Sequence, residues 1–275
     1  MTSPSESRPS LPAELAPAHV LLLAEKVTSF RDHLYPLAFH RPAAPSEALA
    51  RAGRADDLAD ATKAVRTEIG KVQLYVTPAV EDAYSRIRLL GTQAALAGEH
   101  LRLVHAYLVQ VSPQERADRP YPRGRVLDTL LEAGHHLQEA TLLTSLGASD
   151  ALRAATDFAG ALRAQKLIDG KPQAMSPTQR KALSAIATGR LSVEVSGGRE
   201  WAWMRGASFS MATVRSLESR GWVRREAYHP APGARSARLH LTETGRIALA
   251  SWLGRPPAFS RPPALATRAS RTSVR

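Results

Sequence analysis

Met211-Ala-Thr-Val-Arg-Ser-Leu-Glu-Ser-Arg220-Gly-Trp-Val-Arg-Arg225 is the stretch from which the rest of the chain is best read. Ser210 stands before it, a residue whose hydroxyl accepts from the free N–H groups of a first helical turn. Met211, Val214 and Leu217 follow at three-residue spacing and share one side of a helix, which Trp222 joins. Gly221 supplies the left-handed conformation that closes a helix. The pattern predicts a short helix over 211–220, with Thr213, Arg215, Ser216 and Ser219 turned outward. Beyond it, 223–227 opens as a strand, 229–234 is a Pro- and Gly-containing turn, and 235–241 returns as a second strand. Thr242 then caps a final helix reaching Trp252.

Upstream, Ser176, Pro177 and Gln179 form the sequence of a capping box with proline at the first helical position. That helix runs through Leu183 and Ile186 and stops at Gly189. Residues 191–195 and 201–203 alternate on either side of Ser196, Gly197 and Gly198, which predicts a hairpin. Trp201 and Trp203, two apart on one strand, are expected to pack rather than to stack on bases.

The runs ATVRSLESRGWVRRE and GARSARLHLTETGRIAL resemble the C-terminal half of a winged-helix domain of the multiple-antibiotic-resistance-regulator (MarR) type. The matching residues are Leu217, Glu218, Gly221, Trp222, Val223, Arg225, Arg235, Arg238, Leu241, Thr242 and Gly245. The resemblance implies that helix 211–220 enters the major groove of double-stranded DNA. It also implies that Arg235 and Arg238, on a basic wing, reach phosphates or the minor groove. The expected DNA-binding set is Ser210, Thr213, Arg215, Ser216, Ser219, Arg224, Arg225, Arg235 and Arg238. The chain departs from the family before the recognition helix. The family has a helix there, whereas 190–207 reads as strands, with room for one helical turn near 204–208.

Charge supports a polyanionic partner for this region. Arg outnumbers Lys 31 to 6, a compositional bias that inflates the net charge of +12 without any function. The distribution is more telling, because such a bias acts on the whole chain alike. Residues 1–165 hold 18 basic and 19 acidic side chains, and residues 166–275 hold 19 and 6. The C-terminal part thus carries a net +13.

The preceding residues read as helices. A first is expected over 11–37, a second over 56–75 after a linker or short helix at 41–52, and a third from Pro78. The third places Val80, Tyr84, Ile87, Leu90, Ala94, Leu101, Val104, Leu108 and Val111 on one buried face. A polar loop over 112–125 and helices over 126–146 and 150–167 complete a bundle of about five helices. The expected organisation is a disordered tail at 1–10, a helical bundle at 11–168, a winged-helix domain at 170–254 and a basic Pro/Arg tail at 255–275. The fold class is therefore mainly α with a small β-wing. The bundle could oligomerise the chain as a homodimer, sense a ligand, or dock another protein.

Other chemistries find little support. The absence of cysteine excludes disulfides and thiolate metal sites and fits a reducing, cytoplasmic setting. Glu132, His135, His136 and Glu139 suggest the Glu-x-x-His of a di-iron bundle, but that site needs a second copy on another helix. None exists, so these residues read as an ordinary polar face. No nucleophile elbow or Gly-rich phosphate loop occurs, and no apolar run approaches the ~20 residues of a membrane span. The expectation is a non-enzymatic, cofactor-free, sequence-specific DNA-binding protein acting in transcription regulation. The alternative is an adaptor that uses the winged helix to dock protein.

Overall fold

The apolar spacing of the N-terminal region resolves into a set of packed helices. The computed structural model describes residues 12–34, 37–117, 124–196, 198–204, 207–228 and 236–255. Its N-terminal helices are α1 (Ala16–Leu34), α2 (Ala44–Ile69), α3 (Pro78–Val109), the short α4 (Pro113–Ala117), α5 (Arg125–Leu143) and α6 (Gly147–Ala164). The tails expected at 1–10 and beyond residue 255 lie outside the described residues.

Two expectations change here. The linker and second helix are one continuous helix, α2. The first half of its buried side is alanine, Ala44, Ala48, Ala52 and Ala55, and the second half is Leu58, Thr62, Val65 and Ile69. Alanine gives little amphipathic contrast, so the first half escapes a periodicity argument, although it is the best helix former. The polar loop after α3 contains α4, fixed by the buried Arg116. Its guanidinium donates to the carbonyls of Leu108 (2.6 Å) and Val111, and to that of Pro42 at 3.4 Å.

The C-terminal region contains α7 (Pro177–Ala187), β1 (Leu191–Ser196), β2 (Arg199–Met204), β3 (Ala207–Phe209), α8 (Met211–Ser219), β4 (Val223–Tyr228), β5 (Ser236–Leu241) and α9 (Glu243–Ala250). The five strands form one antiparallel sheet in the order β3-β2-β1-β5-β4. Leu191 pairs with Met204 across the first hairpin, and Val223 pairs with Leu241 across the second. The segment before α8, read as strands with room for one helical turn near 204–208, continues the sheet as β3. The capping box at Ser176 and Gln179 is formed, and Ser210 and Thr242 cap α8 and α9 through the backbone N–H groups of Thr213 and Gly245.

Bundle and sheet share one core. A continuous apolar cluster runs from Leu21, Leu23 and Phe158 of the bundle to Leu183, Leu217, Leu239 and Leu249 of the C-terminal region. α1 lies at the centre, against α2 and α6 on the bundle side and against α7 and α9 on the other. The junction depends on glycine. Gly189 adopts φ +65° and a Cβ there would overlap the Thr28 side chain, so the turn after α7 sits directly on α1.

Candidate nucleic-acid interface

α8 is held from behind and bare in front. Val214 and Leu217 are fully buried, while Ala212, Arg215 and Ser219 form an exposed stripe at helical spacing. Ser210 caps the helix, and its Oγ lies 3.2 Å from Thr213 Oγ1. Ser216 turns aside, since its Oγ accepts from Gln179 Nε2 at 3.0 Å and ties α8 to the capping box of α7. Ser219 Oγ donates to the Ser216 carbonyl within the helix. Arg215 extends outward with 68 % of its side chain exposed and Nη2 3.6 Å from Glu200 Oε2. Of the polar set expected on this helix, Arg215 and Ser219 face solvent most openly.

The arginines of the strands are arranged differently from the expectation. Arg225 is clamped: Nε and Nη2 donate to the Glu218 carboxylate and Nη1 to Glu200 Oε1 at 2.5 Å, joining β4, α8 and β2. Those two carboxylates hold its charge firmly on and raise its pKa, while the Arg225 hydrogen bond pulls Glu200 below the usual carboxylate range. Arg224 donates to Glu25 of α1 (3.2 Å) and to Glu226 (3.0 Å).

Arg238 revises the wing reading. Its guanidinium is bidentate on Asp32 of α1, with Nε–Oδ2 at 2.7 Å and Nη2–Oδ1 at 2.5 Å, and also donates to the Gly189 carbonyl at 2.7 Å. Only 13 % of the side chain is exposed. It is held by Asp32 of α1 and by the turn after α7. Arg235 lies outside the described residues. Arg246, which the sequence reading did not single out, donates to Glu25 Oε2 at 2.6 Å. Glu25 and Asp32 are seven apart on α1, hence on one side of it, and together bind Arg224, Arg246 and Arg238.

The tryptophan expectation is also revised. Ala202 points inward on β2, so Trp201 and Trp203 take the opposite side and remain 57 % and 51 % exposed. Glu194 and Ser192 of β1 sit across from them.

In the bundle, His136 of α5 faces α3, its Nδ1 3.0 Å from His100 Nδ1 and its ring stacked on Tyr107. Burial, followed by the neighbouring His100 and His135, lowers its pKa. Glu132 and Glu139 pull it the other way, by less. Among the described residues no group of three or more His, Asp or Glu side chains is placed to hold a metal ion. No described helix is long and apolar enough to cross a membrane.

No protein-family model, no curated protein and no solved structure matches the chain.

Proposed function

We propose that residues 170–254 are a winged-helix module that binds double-stranded DNA, and that the chain is a non-enzymatic transcription regulator. The observation that carries this reading is the exposed stripe Ala212-Arg215-Ser219. It lies on a short, well-capped helix whose other side is buried against the sheet. A helix entering a major groove needs this combination: small and hydrogen-bonding side chains outside, and rigid support behind.

The element order supports the same reading. α7 is followed by β1, then α8, then the β4–β5 hairpin that returns beside β1. The β2–β3 hairpin stands where a MarR-type domain carries a further helix. Arg225 contributes by locking α8 to β4 and β2, which is a positioning role rather than a phosphate contact. Phosphate contacts then fall to Arg215, to Arg235 and to the arginines that follow residue 255.

The exposed Trp201 and Trp203 favour a second reading, an adaptor that docks protein, since large exposed aromatics are typical interface anchors. Fluorescence anisotropy of the full chain on mixed-sequence duplex DNA separates the two. DNA binding predicts a log–log salt slope of about −4.5 if about five phosphates are neutralised, and a clear loss of affinity in Arg215→Ala. Binding that ignores both salt and Arg215→Ala would overturn the DNA reading in favour of the adaptor.

A further inference from the structure

α5 buries alanine on one side and exposes leucine on the other. Ala133 and Ala140 are buried against α3. Leu127, Leu131 and Leu142, with Leu146 in the turn that follows, lie on the outer side and are 40 %, 62 %, 54 % and 67 % exposed. α3, which packs along α5, also exposes Leu96 and Leu103. Large apolar side chains left exposed along one side of a helix mark an interaction surface.

The spacing of the four outer leucines specifies the occupant. They are symmetric about the midpoint between His136 and Leu137. Two copies crossing antiparallel at that point bring Leu127 level with Leu146 of the partner subunit and Leu131 level with Leu142 of the partner subunit. His135 meets Gln138 of the partner subunit. In the same register Asp128, Glu132 and Glu139 fall level with serine, threonine and glycine positions, so no like charges oppose. A parallel pairing would set each acid against itself. Self-complementarity of this kind is the signature of an isologous two-fold contact.

The size also fits. From Leu127 to Leu146 the stripe runs ~29 Å at 1.5 Å per residue. With α3 alongside, the face is about 20 Å wide, or ~600 Å² per chain and ~1,200 Å² in total. That is the lower end of stable protein interfaces.

We propose that two copies of this chain pair antiparallel through the outer face of α5. The pairing does not depend on nucleic-acid binding. Light scattering of the full chain at micromolar concentration should give twice the 29.7 kDa chain mass. Leu131→Glu/Leu142→Glu should give a monomer with an unchanged circular dichroism spectrum, because both side chains are exposed within one chain, and with a lower melt that no longer depends on concentration. A monomeric wild type, or a double variant that stays dimeric, would overturn the proposal.

The absence of native cysteine makes the register testable. Leu131→Cys/Leu142→Cys should oxidise to a covalent dimer. Either single variant should not, because identical positions on the two chains would stand ~16 Å apart along the helices, beyond the ~7 Å reach of a disulfide. A single variant that cross-links, or a double variant that does not, would exclude the antiparallel pairing.

Discussion

Arg238 shows how one side chain can match a motif and still serve another purpose. By its place on the returning strand it reads as a wing arginine. In the folded chain it binds Asp32, 206 residues away, and no local pattern announces that partner. Both side chains are largely withdrawn from water, at 13 % and 15 % exposure. Removing one partner therefore leaves the other desolvated and unpaired, which costs 3–5 kcal/mol when burial is complete. With the residual exposure here, Arg238→Met or Asp32→Asn should each destabilise the protein by about 2–3 kcal/mol. Arg238→Met/Asp32→Leu should lose distinctly less than the sum of its single variants, because neither charge is then stranded. Chemical denaturation of the four proteins measures the coupling, and additive losses would show that the pair contributes little.

What was legible in the chain follows the range of the interaction that fixes each element. The capping box of α7 depends on Ser176 and Gln179 alone, so it was readable from four residues, and the structure forms it with Gln179 Oε1 accepting from Ser176 N at 2.8 Å. Gln179 also donates to Ser216, a link to α8 that its own neighbourhood does not reveal. Ser176→Ala should therefore cost about 1 kcal/mol from the lost cap, visible as a lower denaturation midpoint at unchanged slope. A loss below a few tenths would mean that the helix is held by packing alone. The alanine stripe of α2 was missed for a different reason, since small apolar residues give almost no contrast between faces. Trp201 and Trp203 were misassigned because alternation identifies two faces but not which one is inward. That choice was made by Ala202 and by the pairing of β2 with β1 and β3.

The charge asymmetry between the two halves looks different once the chain is folded. Part of the basic excess is answered internally, by Glu25 and Asp32 of α1 binding Arg224, Arg246 and Arg238. The same helix shares the apolar core of both regions, with Leu21, Leu23 and Val27 in one cluster with Leu183, Ile186 and Leu249. On that shared core, we expect the boundary near residue 169 to mark a change of secondary structure rather than a thermodynamic division. This predicts one cooperative unfolding transition for the full chain, with matching calorimetric and van't Hoff enthalpies. It also predicts that a fragment of residues 170–255 lacks a sigmoidal melt. Without α1, Gly189 loses its seat on Thr28, Arg238 and Arg246 lose their carboxylates, and the apolar side of α7 and α9 is opened to water. A fragment that melts cooperatively with native-like ellipticity, beside a full chain showing two transitions, would mean that the C-terminal region stands alone and that α1 is only a neighbour. The single-transition result would tie the orientation of α8 to the bundle. Any ligand or partner that displaced α1 would then also move the helix proposed to read DNA.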